Sequence, residues 1–417
     1  MSSLLRSAQP LAALPSHVVR RVAVIHPVTG EQLDDAMVTV MRAPRSYTGE
    51  DVVELSCHGN PALLRLLLSF VIEAGARLAE PGEFTRRAYL NGRLDLAQAE
   101  AVALLIGART ERAVALAARA LAGGLSGPLT AVREALLDLV AGLELTLDFP
   151  DEQIAVDEAE ARKTLAALRE TVRRQLASAR SGDIINAGLT VAIVGPPNAG
   201  KSSLLNGLLG RERAIVSPHA GTTRDVVEGA IVVAGVPVRL LDTAGLGDPQ
   251  DPIDAEGMRR SRLAIEDSDL VLVVLDRSAA PQPGVLTATA DRRRIIVAAK
   301  CDLQAHPQMA ALADAVLASV KLDGGLDALI DRLTGSVEEL VNLNADEGPL
   351  LASLRQIELL GTLHASLERA ERALAEAPLE VALIELNEGL RTLAAMLGHD
   401  VGDEVLDRIF SRFCVGK

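Results

Sequence analysis

One short stretch carries the residue types and the spacing of a phosphate-binding loop. In VAIVGPPNAGKSSLLN, residues 191–206, an apolar run precedes Gly195, four further residues, Gly200, Lys201 and Ser202, and a helix start follows. Glycine lets the backbone approach a phosphate closely, and successive N–H groups at a helix N-terminus attract the anion. Lys201 can reach the β and γ oxygens, and Ser202 can ligate Mg²⁺. The stretch therefore predicts a P-loop that binds a nucleoside triphosphate.

Two further motifs follow at the spacing of nucleotide-sensing switch segments. They are AGTTRD at 220–225 and LLDTAG at 240–245. We expect Thr223 to ligate Mg²⁺ in the triphosphate state, Asp242 to hold the metal through water, and the Gly245 N–H to meet the γ-phosphate. Together, the motifs indicate a regulatory GTPase rather than a generic P-loop ATPase.

The base-recognition loop departs from the GTPase signature Asn-Lys-X-Asp. IIVAAKCDL, residues 295–303, carries Lys300 and Asp302 but has Ala299 at the Asn position. Asp302 can accept from guanine N1–H and the 2-amino group, whereas adenine presents a lone pair at N1, so guanine selection should survive. Each hydrogen bond lost with Asn is worth roughly 0.5–1.5 kcal/mol, and we expect GTP affinity to fall about tenfold. The SVK stretch at 319–321 can supply the last loop on the base side.

The second switch motif does not supply the residue that orients the attacking water. Leu246 follows Gly245, at the position where Ras-type enzymes carry Gln. Two candidates remain: a monovalent cation held near Asn198, and a carboxylate such as Asp254 or Glu256. A turn-stabilising Asn and solvated charges at a helix start explain these residues equally well.

Composition limits the class of protein and its partners. The net charge of -14 argues against non-specific coating of nucleic acid. The three cysteines lie far apart and form no CxxC motif, which argues against a disulfide framework or a zinc site. There is neither a signal-peptide pattern nor an apolar run of about 18 residues, so we expect a cytoplasmic protein that does not enter the membrane.

Hydrophobic periodicity divides the chain into regions of different structure. Residues 20–56 alternate β-rich pieces with turns before an amphipathic helix, which predicts a small α+β unit. Helical periodicity runs from residue 94 to about 187, with predicted turns at 123–128 and 148–152. Strands and helices alternate over 188–342, and helices then resume. The pattern predicts an α/β domain inserted into a helical domain.

Taken together, the motifs resemble one family over nearly the whole chain. NAGKSSLLN, AGTTRD and DTAG occur with GEFTRRAYLNGRLDLAQAEAV at 82–102 and DRIFSRFCVGK at 407–417. This combination resembles the MnmE (TrmE) family of tRNA-modification GTPases. The resemblance implies a multidomain fold with an α+β tetrahydrofolate-binding-like N-terminal domain, a discontinuous α-helical domain and an inserted Ras-like α/β P-loop GTPase domain. The expected bounds, in that order, are 1–92, then 93–187 with 343–417, and 188–342. In the family, the first strand of the N-terminal domain precedes the residue matched by Arg6, and we expect that strand to be missing from this chain.

The resemblance also implies an activity and its partners. Members of this family are K⁺-activated GTP hydrolases whose GTPase domains dimerise. With the flavoprotein MnmG, they install a carboxymethylaminomethyl or aminomethyl group at C5 of the wobble uridine of certain tRNAs. The N-terminal domain would form a constitutive homodimer and bind 5-formyltetrahydrofolate or another tetrahydrofolate.

Site residues carry over from the family by position. The folate contacts would be Arg6, Glu54, Arg93 and Lys417. The K⁺ ligands would be Asn198, Ser217, His219 and Thr222, and the Mg²⁺ ligands Ser202 and Thr223. The water-orienting Glu matches Asp254, with Glu256 as the fallback and Lys201 as a further catalytic group. The expected GTP contacts are Asn198, Ala199, Gly200, Lys201, Ser202, Ser203, Ser217, Thr222, Thr223, Asp242, Thr243, Ala244, Gly245, Lys300, Asp302, Ser319, Val320 and Lys321.

Two other interpretations stay open. The first is a nucleotide-switched module that binds RNA, as in ribosome assembly, without modifying it; the motifs at 82–102 and 407–417 argue against it. The second is a catalytically weakened paralogue that kept the fold. Ala299, Asp254 and the expected loss of the first strand favour this second alternative.

Overall fold

The described part of the chain contains two β-sheets and a set of long helices. The computed structural model describes residues 5–6, 10–148, 158–211, 227–242, 262–341, 350, 352–399 and 401–416. In these ranges, no helix is both long enough and apolar enough to span a bilayer.

The N-terminal unit is a four-stranded antiparallel sheet with a helix packed on one face. Its strands, in spatial order, are β1 (Leu5–Arg6), β2 (Val19–Ile25), β3 (Gln32–Met41) and β4 (Val52–Ser56). Helix α1 (Pro61–Glu73) is capped by Asn60, whose side chain accepts from two N–H groups of the first turn. Val24 and Val38 pack with Leu67 and Phe70 in one core. This confirms the predicted α+β unit.

Within the described residues, five helices lead from this unit to the second sheet. They are α2 (Glu83–Leu90), α3 (Leu96–Gly107), α4 (Glu111–Arg119), α5 (Ser126–Asp148) and α6 (Glu158–Ala187). The break between helices predicted at 123–128 is present but shorter: a π-helical segment, Ala120–Gly124, connects α4 to α5, Gly123 has a φ of 89°, and α5 already begins at Ser126. Pro128 sits in the first turn of α5, where a helix does not need its N–H. Most of the second predicted turn lies outside the described residues.

The second sheet has six strands with helices on both faces. In chain order, the strands are β5 (Leu189–Val194), β6 (Val227–Val233), β7 (Val236–Asp242), β8 (Leu270–Asp276), β9 (Arg294–Ala299) and β10 (Val316–Ala318). The spatial order is β10-β9-β8-β5-β7-β6, and all pairs are parallel except β6 with β7. The helices of this domain that lie wholly within the described residues are α7 (Lys201–Arg211), α8 (Pro283–Ala288) and α9 (Asp327–Val341). Because β5 is buried on both faces, Val191 and Ile193 enter one core and Ala192 and Val194 the other.

The last helices return to the helical domain. They are α10 (Leu354–Glu376), α11 (Leu379–Leu397) and α12 (Asp403–Phe410). Leu136 of α5, Leu165 of α6, Leu363 of α10 and Leu386 of α11 are fully buried in one core. The helical domain is therefore discontinuous, as predicted, with the α/β sheet inserted between its halves. The domain bounds given above stay predictions.

Two features join the helical domain to the six-stranded sheet. Helix α6 contributes Val172 and Ala179 to the helical core and Ile185 to the core of the sheet. At the tip of the β6–β7 hairpin, the Arg112 guanidinium of α4 donates to the Ala234 carbonyl at 3.2 Å. The sheet thus contacts the helical domain at both places.

Candidate nucleotide-binding site

The P-loop leaves β5 and enters α7 at the carboxyl edge of the sheet. A Cβ at Gly195 would lie 2.2 Å from the carbonyl oxygen of Val274, so only glycine lets the loop start this close to β8. Asn198 and Gly200 have φ of 60° and 103°, which directs the chain around the turn into the helix. The strand, loop and helix therefore have the local geometry that a P-loop requires.

Lys201 lies across the inside of this loop. It is buried, and its Nζ donates to the carbonyl oxygens of Gly195 at 3.1 Å and Pro196 at 3.0 Å. Burial lowers the pKa of Lys201, and the nearby Asp242 carboxylate opposes that shift. A desolvated ammonium held by neutral carbonyls gains charge compensation when a phosphate binds, which suits the role predicted for Lys201.

The first residue after Lys201 reaches the end of a neighbouring strand. Ser202 Oγ donates to Asp242 Oδ2 at 2.7 Å. Parallel pairing places Asp242 level with Ile193 of β5, which brings the carboxylate beside the loop. A hydroxyl and a carboxylate are oxygen ligands of the kind that Mg²⁺ prefers. The structure thus brings together two residues predicted for the metal site, and their chemistry fits Mg²⁺.

The base side is built from two loops that follow β9 and β10. Ser319 Oγ donates to Asp302 Oδ1 at 2.7 Å, and the Lys321 backbone N–H donates to Ser319 Oγ at 3.2 Å. The hydrogen bond from Ser319 lowers the pKa of Asp302, so the carboxylate is an ionised acceptor at neutral pH. Val320, between them, is 47% exposed. The three residues of SVK therefore lie beside Asp302.

Lys300 connects the base side to the P-loop. Its φ is 57°, and its Nζ donates to the Asn198 carbonyl at 2.8 Å and to Asp276 Oδ2 at 2.6 Å. Burial raises the pKa of Asp276, but hydrogen bonds from Lys300 and Ser278 outweigh it and leave the pKa lowered. Sequence reasoning missed Asp276. Its position as the last residue of a buried strand, LVLVVLD, was an available signal.

The remaining predicted nucleotide residues divide into two groups. Ala199 is buried under the loop, and Ser203 is exposed on α7. The other group lies outside the described residues; its members are Ser217, His219, Thr222, Thr223, Thr243, Ala244, Gly245, Asp254 and Glu256. The predicted folate contact Lys417 also lies outside the described residues.

The described folate candidates are not all close together within one copy of the chain. Arg6 of β1 is level with Asp35 of β3 through β2, whereas Glu54 of β4 is level with Thr39 of β3. The two side chains belong to the same face but opposite edges of the sheet, so their Cα atoms are roughly 20 Å apart. Arg93 packs against the 43–50 loop, where a Cβ at Gly49 would lie 3.4 Å from its Cγ.

The motifs at 82–102 and 407–417 contact each other. The Gly82 N–H donates to the Cys414 carbonyl at 3.4 Å, and Arg86 forms an ion pair with Asp407 at 2.8 Å. Gly82 has φ of 67°, and a Cβ there would lie 2.9 Å from the Phe410 carbonyl oxygen. The C-terminal segment therefore docks on α2, beside the N-terminal sheet.

The parallel sheet, the P-loop and the placement of Ser202, Asp242 and Asp302 at one edge define a P-loop GTPase. Comparison with protein families narrows this class. The model described as GTP-binding protein TrmE N-terminus matches residues 2–93, and the model described as MnmE helical domain matches residues 96–414. The chain belongs to the MnmE (TrmE) family of tRNA modification GTPases.

Individual relatives agree with this assignment. The tRNA modification GTPase MnmE of Moorella thermoacetica is 42% identical over 428 residues, covering 98% of this chain and 91% of the relative. The protein of the same name from Symbiobacterium thermophilum is 42% identical over 432 residues, covering 99% and 92%. A solved G domain of the T. maritima iron transporter FeoB is 26% identical over 36% of this chain and 98% of its own, with a TM-score of 0.28.

Proposed function

We propose that this chain is a K⁺-dependent GTP hydrolase that acts with the flavoprotein MnmG on certain tRNAs. In this reaction, a carboxymethylaminomethyl or aminomethyl group is installed at C5 of the wobble uridine. The observation that carries the proposal is the convergence of Lys201, the Ser202–Asp242 pair and the Ser319–Asp302 pair at one edge of the sheet. The chain matches about nine-tenths of the length of relatives that are named tRNA modification GTPases.

Each described residue has a part in this proposal. Lys201 stabilises the charge that develops on the β and γ phosphate oxygens. Ser202, and Asp242 through a water molecule, would hold Mg²⁺, which would neutralise phosphate charge when bound. Asp302, oriented by Ser319, accepts from N1–H and the 2-amino group of guanine.

The residues proposed for the K⁺ site and for orienting the attacking water are assigned from the matching positions of the family. Asn198 is exposed on the P-loop, and its carbonyl is already engaged by Lys300. Its side-chain oxygen is therefore the atom we assign to K⁺, with Ser217, His219 and Thr222 as the partners expected from the family. Asp254 is the proposed water-orienting carboxylate, and Glu256 the alternative.

The N-terminal unit is proposed to bind a tetrahydrofolate and to form the homodimer. The separation of Arg6 and Glu54, roughly 20 Å within one copy, favours a folate site to which the two copies contribute different residues. We place this protein in the cytoplasm, where its tRNA substrates are.

The experiment that tests the hydrolytic proposal is steady-state turnover by the purified chain in K⁺ and in Na⁺, with ATP as the control nucleotide. We expect GTP turnover to be stimulated by K⁺ and ATP turnover to be negligible. Asn198→Ala should remove the K⁺ stimulation, while Asn206→Ala, the same change at an exposed position of α7, should preserve it. Equal GTP turnover in the two salts would contradict K⁺ activation.

The role in tRNA modification needs a cellular test. A strain that lacks its own enzyme is complemented with this chain or with Lys201→Ala, and wobble-uridine modification is measured by nucleoside mass spectrometry. We expect the natural chain to restore the modified uridine and Lys201→Ala to fail.

Ala299 favours one alternative, a catalytically weakened paralogue. The residue is 6% exposed and provides no polar group at the position where the signature has Asn. Absence of GTP turnover in both salts, with the fold intact, would support this alternative over the proposed enzyme.

A further inference from the structure

The side chain at position 299 faces the P-loop and not the solvent. Ala299 is the last residue of β9, and a Cβ added at Gly200 would lie 3.9 Å from the Cβ of Ala299. The residue shares the buried cluster with Ala199 and Leu204. Any side chain at this position is therefore directed between the P-loop and the base-recognition loop, and here it is a methyl group without a donor or an acceptor.

The connection between these two loops does not depend on residue 299. Lys300 makes that connection, because its Nζ donates to the Asn198 carbonyl at 2.8 Å and is paired with Asp276 at 2.6 Å. With its ammonium engaged by a backbone carbonyl and a carboxylate, Lys300 holds the loops in place. The methyl group at 299 therefore leaves the arrangement of the loops to Lys300, and it offers a bound nucleotide neither a donor nor an acceptor.

Asp302 provides the acceptor for the Watson–Crick edge of the base. Asp302 is oriented by the Ser319 hydroxyl at 2.7 Å, and the same hydrogen bond lowers the pKa of the carboxyl group. An ionised carboxylate recognises the N1–H and 2-amino donors on the Watson–Crick edge of guanine. It cannot recognise N7, which is an acceptor on the five-membered ring.

We propose that Ala299 leaves the N7 edge of the purine without side-chain recognition, so that guanine is selected through its Watson–Crick edge alone. The site then accepts 7-deazaguanine nucleotides as well as guanine nucleotides. This inference rests on the proposed GTPase function and specifies the nucleotides that the same site takes.

The test is isothermal titration of the full chain with GTP, 7-deaza-GTP, ITP and ATP in Mg²⁺ and K⁺. For the natural chain, we expect GTP and 7-deaza-GTP to bind within about twofold of each other. ITP, which lacks the 2-amino group contacted by Asp302, should bind at least about tenfold more weakly than GTP, and ATP weaker still.

Two variants sharpen the comparison. Ala299→Asn adds an amide donor, so we expect GTP to bind about three- to tenfold tighter than 7-deaza-GTP in that variant. Ala299→Ser, which is polar but too short to reach the base, is the matched control and should treat the two nucleotides alike. Circular dichroism verifies folding, and the ratio in the natural chain decides the question even if Ala299→Asn does not fold.

The outcomes separate the inference from the function on which it rests. If the natural chain binds GTP several-fold tighter than 7-deaza-GTP, the inference is wrong and the GTPase function stands. If GTP, ITP and ATP bind alike, guanine recognition by Asp302 is wrong and both proposals fall.

Discussion

The ion pair between Glu100 and Arg355 connects the two halves of the helical domain across 255 residues of sequence. The Glu100 side chain of α3 is 6% exposed and that of Arg355 of α10 is 23% exposed. The carboxylate accepts two hydrogen bonds from the guanidinium, at 2.8 Å and 3.1 Å, and Arg355 also donates to the Ala395 carbonyl of α11. If either side chain is replaced, the charged group of the other remains largely buried without the oppositely charged group that compensates it.

We expect Glu100→Gln to destabilise the helical domain by about 3 kcal/mol, because breaking a buried pair typically costs 3–5 kcal/mol and Gln retains one acceptor. The double variant Glu100→Leu with Arg355→Met should recover most of this loss, since apolar groups of similar size need no partner. Urea denaturation followed by far-ultraviolet circular dichroism measures all the variants. Together with the single variants Glu100→Leu and Arg355→Met, the double variant completes a cycle that yields the coupling free energy of the pair.

A more exposed pair in the same domain provides the control. Arg369 of α10 and Glu385 of α11 lie 2.8 Å apart, with side chains 44% and 23% exposed. Arg369→Met should cost less than about 1 kcal/mol, as is usual for a solvated pair. If Glu100→Gln costs no more than Arg369→Met, the buried pair does not hold the two halves together as reasoned here.

Two other predictions concern the base side and the N-terminal unit. Asp302→Asn should weaken GTP binding by at least about thirtyfold and improve XTP binding, because the amide donates to the C2 carbonyl of xanthine; unchanged GTP affinity in titration would contradict this. Hydrogen bonds from Arg77, the Glu80 N–H and Arg87 lower the pKa of Glu83 from 4.5 to about 2. The stability that ionised Glu83 provides, up to about 3 kcal/mol before solvent screening, is complete above pH 4.5 and is lost as pH falls toward 2. Thermal melting of Glu83→Gln should therefore show a deficit at pH 6 that shrinks to roughly a quarter near pH 2.5 and disappears below pH 2.

Much of the architecture was predictable because its signals are local. The run LVLVVLD and the strand before Gly195 are apolar on both faces, which is the pattern of a central parallel strand. The break after α4 was predictable because a Gly-Gly pair is a usual turn signal, but the π-helical form of the segment Ala120–Gly124 was not.

The contacts that complete the site were not predictable from local patterns. Lys300 meets Asp276 from 24 residues away and the Asn198 carbonyl from 102 residues away. Such pairs depend on which strands become neighbours, and periodicity does not specify that order. The sequence could identify Lys300 as a base-loop residue, but not that it would hold the P-loop.

Because helix α6 belongs to two hydrophobic cores, it couples the stability of the helical domain to that of the six-stranded sheet. It is 30 residues long, about 45 Å, and no break interrupts it between the helical core and the sheet core. Neither core can melt completely without disturbing the helix that the other one needs. A nucleotide that binds the folded GTPase lowers the free energy of the native state, and we expect part of that gain to appear as a smaller open population of the helical domain. The ligand at one end of the helix in this way protects backbone amides at the other end from exchange with solvent.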